Sequence, residues 1–260
     1  MTFREGFVDA DGFRIRFVEA GDGPPLVHLH GAGGLRLTPA HDLLSQRFRV
    51  IAFEMPGFGA EDNQRTETIA ELATTMAEAM RGLGLERVNL MGTSFGGKVA
   101  LALAIQSPDL VRALVLEAPA AIRPGGLQPP SGSPDSVARL VYAHPERMPP
   151  RPPVDPVIAA RRLTMTKRLH GPARDPDLEA RMRGLTTPLL AVFGTRDTLI
   201  RPELARIYKD LMPHAHLVFV YDAGHAISAE RPEAFVEVVG DFLERDDAFV
   251  ISRAKTVLLP

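Results

Sequence analysis

Cysteine and tryptophan are both absent from this chain of 260 residues, and tyrosine occurs only three times. Without a thiol there is no disulfide, no zinc–thiolate or iron–sulfur centre, and no cysteine nucleophile. An excess of charge of one sign is lacking too: 30 basic residues face 32 acidic ones, a formal net charge of −2. That balance, free of long runs of like charge, gives no footing for nucleic acid or an anionic membrane surface. No window approaches the ~18 uninterrupted apolar residues of a membrane span. The opening Met1-Thr-Phe-Arg-Glu-Gly6 is not followed by an apolar stretch of signal-peptide length. The expectation is a soluble cytoplasmic protein.

What is present is a globular composition, 45% apolar and 24% charged, long enough to bury one large sheet under helices. Two alternating segments, Gly6–Ala10 and Phe13–Glu19, flank Asp11-Gly12, a hairpin signal. Unbroken apolar runs follow at Leu26–Leu29, Val50–Phe53, Val88–Met91, Ala113–Leu116, Leu189–Phe193 and Leu217–Val220. Such runs fit strands buried on both faces of a mostly parallel sheet. Helical patterns lie between them, at Thr68–Leu83, Gly96–Gln106, Pro202–Leu211 and Pro232–Leu243. The alternation predicts an α/β fold, a mostly parallel central sheet flanked by helices.

One stretch breaks the rhythm. Residues 119–188 hold 14 of the 23 prolines and no strand pattern, but three helix starts are capped: Ser133-Pro134, Asp155-Pro156 (running to His170) and Asp175-Pro176. This reads as a helical lid, residues 119–185, inserted into a core of residues 1–118 and 186–245. Residues 246–260 form an extension to which no role attaches.

The strongest local signal is Gly92-Thr-Ser94-Phe-Gly96, a G-x-S-x-G pattern between an apolar strand and an alanine-rich helix. A serine on so sharp a turn is lifted above the sheet edge. Glycines at positions 92 and 96 let strand and helix crowd together. A second signal is Leu26-Val-His-Leu-His30-Gly31-Ala32-Gly-Gly34, a strand entering a glycine-rich turn. Acyl transfer needs two backbone N–H donors where negative charge develops, and Ala32 and Phe95 are placed to supply them. His28 and His30, two apart on a strand, share a face and are a metal-binding alternative, although no third ligand stands near. No metal or cofactor is expected.

The third signal follows the insert. Pro188–Asp197 is a strand ending in a turn that carries Asp197, and the next strand leads into Tyr221-Asp-Ala-Gly-His225. Neutral histidine is suited to take the serine proton near pH 7, and a carboxylate holds its tautomer. Ser94, Asp197 and His225 are therefore the expected triad, with Glu117 as rival acid and Asp222 as a loop residue.

With His30-Gly31, Met55-Pro-Gly-Phe-Gly59, the elbow at Ser94, Gly194-Thr-Arg-Asp197, Gly224-His225 and Glu230-Arg-Pro-Glu233 in hand, the chain resembles the lid-bearing α/β-hydrolase superfamily up to about residue 245. That resemblance implies a serine hydrolase acting on an ester or related acyl bond of a small molecule. It also embraces C–C bond hydrolases of meta-cleavage products, lactonases and perhydrolases. Relatives of the C–C type often carry tryptophan after the catalytic histidine, where this chain has Ala226. A non-catalytic ligand sensor on the same frame is the contrasting class. A homodimer is left open. Residues 120–185 carry 11 Lys or Arg against 6 Asp or Glu, with Arg161 and Arg162 on the longest insert helix. Arg162 is accordingly a candidate for binding an acidic substrate.

Overall fold

The computed structural model describes residues 2–123, 133–150 and 153–245; the extension at 246–260 lies outside them. The strands are β1 (Arg4–Ala10), β2 (Phe13–Ala20), β3 (Pro25–Leu29), β4 (Arg49–Phe53), β5 (Val88–Thr93), β6 (Val111–Glu117), β7 (Leu189–Gly194) and β8 (His216–Val220). They form one sheet in the order β1-β2-β4-β3-β5-β6-β7-β8. β1 and β2 are the hairpin expected at Asp11-Gly12, whose residues both have positive φ, 49° and 71°. Such a mirror-image turn matches strand twist. β2 pairs antiparallel with β4, and every later pairing is parallel.

Each apolar run recognised in the sequence is a strand, longer by a residue or two at its ends. β3, β5, β6 and β7 are buried almost throughout, whereas β8 closes one edge and leaves Phe219 49% exposed. Alternation divides each strand between two layers. Val27 and Leu29 join Ile51, Leu90 and the apolar faces of α2 (Ile69–Gly82) and α3 (Phe95–Gln106). Leu26 and Val50 join Met91, α1 (Pro39–Leu44) and α9 (Pro232–Arg245). α2 starts in a capping box, Thr68 with Glu71, and buries Leu72, Met76 and Met80. Each such side chain contributes about 1.5–3 kcal/mol on burial.

Between β6 and β7 stand α4 (Pro134–Val141), α5 (Pro156–Arg168) and α6 (Pro176–Arg183). Asp155 accepts from Val157 N–H at 2.7 Å, and Asp175 accepts from Asp177 and Leu178 at 3.1 Å. α5 ends at Arg168, two residues short of the expected His170. Pro202–Leu204 is a 3-10 turn, and α7 (Ala205–Leu211) begins only after it. Two short helices go beyond the sequence expectation: α1, and α8 (Ile227–Glu230). No helix among the described residues is long and apolar enough to cross a membrane.

Because β3 to β8 are parallel, the loops after β3, β5, β7 and β8 open on one edge of the sheet. Ligand sites of open α/β sheets lie there, beyond the strand C-termini.

Candidate active site

Ser94 sits between β5 and α3 with φ 54° and ψ −112°. A non-glycine residue there is strained by about 1–3 kcal/mol, so the surroundings must hold it. Ser94 N–H donates to Glu117 O at 2.8 Å, and Ser94 O accepts from Ala120 N–H at 2.9 Å. The flanking glycines answer a packing need. A Cβ on Gly96 would collide with the carbonyl oxygens of Leu29 and His30; one on Gly92 would lie 2.7 Å from Ala100 Cβ. Phe95 opens α3, so its N–H belongs to the first turn, which has no partner within the helix.

The turn after β3 is closed by Gly34 N–H on Gly31 O at 3.1 Å, and among the described residues the Ala32 N–H at its centre has no backbone acceptor. It lies over the serine, for a Cβ on Gly31 would come 3.4 Å from Ser94 Cβ. His30 holds this turn. Its Nε2 accepts from Met55 N–H at 3.0 Å, so Nδ1 carries the proton and donates to Gly31 O at 2.7 Å. Burial lowers its pKa to about 4 and keeps it neutral.

His225 Nδ1 meets Asp197 Oδ2 at 2.8 Å. The other oxygen, Oδ1, accepts from Leu199 and Ile200 N–H at 2.8 and 2.9 Å. The carboxylate is thus aimed, and Nε2 of the imidazole is left for other work. His225 N–H donates to Val141 O of α4 at 2.8 Å, so the insert helps to set the histidine loop. Among the described residues no hydrogen bond joins Ser94 Oγ to His225. Such contacts often tighten only when substrate binds. Asp222 is the loop residue expected, paired with His144 and Arg196.

Glu117, the rival acid, has no hydrogen bond to His225 among the described residues. Its Oε2 accepts from Thr93 Oγ at 2.7 Å and Ser228 Oγ at 3.2 Å, and its Oε1 accepts from Ser228 N–H at 2.7 Å. It ties the residue before Ser94 to the helix after His225. Burial pushes its carboxyl above the ordinary range. The chain of contacts continues from Thr93 Oγ to His28 Nε2 (3.0 Å), from His28 Nδ1 to His41 Nε2 (2.9 Å), and from His41 Nδ1 to Thr38 N–H (3.0 Å). Sequence reasoning missed Thr93, Ser228 and His41; only His41, three after a Thr-Pro helix start, carried a local signal.

The shared face on which the metal alternative at His28 and His30 rested is not what the fold gives. β3 stops at Leu29, so the alternation that would set both rings on one side lapses. His28 meets His41 of α1, while His30 packs against Phe58. All four ring nitrogens already have protein partners. Among the described residues no cluster of three His, Asp or Glu side chains suited to a metal occurs.

The three buried histidines make stability depend on pH. In an unfolded chain histidine protonates near 6.5, whereas His30 and His41 resist until about 4 and His28 is also strongly lowered, desolvation leading in each. Between those values the unfolded state binds more protons. Stability therefore falls as pH drops from 6.5 towards 4, by up to about 1.4 kcal/mol per pH unit for each histidine. Glu117 opposes this with its raised pKa, whose contribution is present at low pH and lost as pH rises through the folded value. Calorimetry is expected to give a lower Tm at pH 5 than at pH 7; an equal Tm would refute the neutral-histidine account.

Arg162, the candidate for binding an acidic substrate, is engaged by the loops beside the serine. Its Nε donates to Phe58 O at 2.7 Å and a terminal N–H to Gly33 O at 2.6 Å. Arg161 donates to Ala60 O at 2.9 Å, and Arg168 to Asn63 and Thr66 O at 3.1 Å. A helix in the sequence shows basic residues; only the fold shows that backbone carbonyls of the core engage them.

The model of the alpha/beta hydrolase family matches residues 26–238. The chain belongs to the α/β-hydrolase family. A 113-residue stretch is 39% identical to an uncharacterized protein of Mycobacterium tuberculosis, of which it spans 33%. Over nearly full length the chain is similar to two named enzymes. One is the pimeloyl-[acyl-carrier protein] methyl ester esterase of Nitrosomonas europaea (27% identity, 85% of this chain and 96% of that one). The other is a 2-hydroxymuconate semialdehyde hydrolase of a Pseudomonas species (29% identity, 94% and 95%). The 2-hydroxy-6-oxo-6-phenylhexa-2,4-dienoate hydrolase of a Rhodococcus strain shares the fold, with TM-score 0.77 at 20% identity over 94% of this chain and 99% of that one.

Proposed function

We propose that this α/β-hydrolase cleaves an ester or related acyl bond of a small organic molecule through an acyl-enzyme on Ser94. The observation that carries the reading is the aimed pair His225 Nδ1–Asp197 Oδ2 at 2.8 Å, at the same sheet edge as a serine held in a strained elbow. His225 takes the Ser94 proton as Oγ attacks the carbonyl carbon. The Ala32 and Phe95 N–H groups receive the oxyanion, and His225 passes the proton to the leaving group. Water then attacks the acyl-enzyme with His225 again as base, releasing the acid and restoring Ser94. α4, α5 and α6 act as a lid that selects what reaches the serine.

A second reading, C–C bond hydrolysis, is favoured by the 29% identity to the 2-hydroxymuconate semialdehyde hydrolase. The Ala226 after His225 and the lack of tryptophan weigh against it. A panel of p-nitrophenyl esters, an aliphatic methyl ester, a lactone and a meta-cleavage product, with product analysis, separates the two. Ester kcat/KM at least about tenfold above that for the C–C substrate is expected, a difference of roughly 1.4 kcal/mol in transition-state binding. The reverse order would transfer the assignment, and turnover of none would favour a ligand sensor.

A further inference from the structure

We propose that Arg162 is a positioning residue: from the lid helix α5 it holds the oxyanion site in working shape, so that catalytic competence depends on α5 being docked. This rests on the hydrolase reading above.

The guanidinium reaches both walls of that site. On one side it donates to Gly33 O, one residue beyond the Ala32 donor and inside the turn closed by Gly34 N–H on Gly31 O. The side chain lies so close over this turn that a Cβ on Gly34 would collide with its guanidinium. On the other side it donates to Phe58 O. The Phe58 ring lies 5.1 Å from that of Phe95, the second donor residue, and 5.3 Å from His30, which holds Gly31 O. One planar fork thus spans the Ala32 turn and the loop that packs on Phe95. A fixed, multi-donor guanidinium suits such bridging, and a lysine ammonium does not.

The turn needs outside support. Glycines at 31, 33 and 34 give it little stiffness of its own, and Gly34 has φ 83°. An oxyanion site works because its donors are preorganised, and small displacements are costly. His30 fixes the start of the turn from the core, at Gly31 O; Arg162 fixes its far end from the lid. Arg161, next on the same helix, makes a useful contrast. It donates to Ala60 O and pairs with Asp62, so it makes exposed contacts of the same kind without touching the turn.

The test compares Arg162→Ala, Arg162→Lys and Arg161→Ala with wild type. Readouts are kcat and KM on p-nitrophenyl acetate, the second-order rate of fluorophosphonate labelling, and Tm. Arg162→Ala is expected to lose about ten- to a hundredfold in kcat with KM within about threefold, and labelling should slow in parallel. Arg162→Lys should resemble it, although it keeps the charge. Arg161→Ala should stay within about threefold of wild type. Guanidinium chloride at tens of millimolar should restore part of the Arg162→Ala rate and none of the Arg162→Lys rate. Unchanged kcat with KM raised only for carboxylate-bearing esters would overturn the proposal and return Arg162 to substrate binding. Lowered Tm with normal kcat would reduce it to a structural tie. A wild type that neither labels nor turns over any ester refutes the hydrolase reading itself, and this proposal with it.

Discussion

Ser94→Ala is expected to abolish turnover, with kcat lower by on the order of 10³- to 10⁶-fold, while the protein remains folded. The loss is large because, on the proposed mechanism, this hydroxyl forms the covalent intermediate. The fold is spared because alanine keeps the Cβ and leaves the backbone bonds from Ser94 to Glu117 and Ala120 intact. Intact mass after fluorophosphonate treatment checks it: one adduct on wild type, none on Ser94→Ala. A companion, Ser94→Gly, sharpens the argument. With φ at 54° the serine is strained, and glycine relieves that strain. Ser94→Gly should therefore be inactive yet melt at a higher temperature than Ser94→Ala. If both variants melt alike, the elbow stores no strain that the side chain imposes. If Ser94→Ala still labels at a single site, the nucleophile is another residue.

Asp197→Asn carries the second largest effect, a fall in kcat of about 10⁴-fold. The hydrogen bonds around this side chain explain why an isosteric change is so damaging. Oδ1 accepts from Leu199 and Ile200 N–H, which only an oxygen can satisfy. The asparagine amide nitrogen must then face His225 Nδ1, where Oδ2 stood at 2.8 Å. Two donors cannot meet, so the imidazole adopts the tautomer with its proton on Nε2, and the base toward Ser94 is gone. Glu117→Gln should cost far less in kcat, because Glu117 bonds to Thr93 and Ser228 and not to the imidazole. Steady-state kinetics on one p-nitrophenyl ester decide the matter. A larger loss in Glu117→Gln than in Asp197→Asn would make Glu117 the triad acid.

Most of the scaffold was legible because its signals are local. Buried parallel strands need unbroken apolar runs, Asp11-Gly12 needs positive φ, and helix starts need caps; each can be read within a few residues. The elbow was equally plain, since the crowding that demands Gly92 and Gly96 acts between adjacent elements. Short helices such as α1 and α8 escaped, because one or two turns carry too little periodicity to stand out and tertiary packing decides them. The expectation that His28 and His30 share a face failed for a related reason: where a strand stops is set by its neighbours, and β3 stops at Leu29.

The sequence alone determined the fold class, the order serine, acid, histidine along the chain, and the two glycine-rich turns, because periodicity and steric need are written residue by residue. Tertiary structure alone decided which groups meet. It brought Asp197 to His225 across 28 positions and Glu117 to Ser228 across 111. It also carried Arg162 of α5 to Gly33, 129 positions away. Such partners are chosen by sheet order and loop geometry, and a hydrogen bond between distant residues leaves no trace in the spacing of either one.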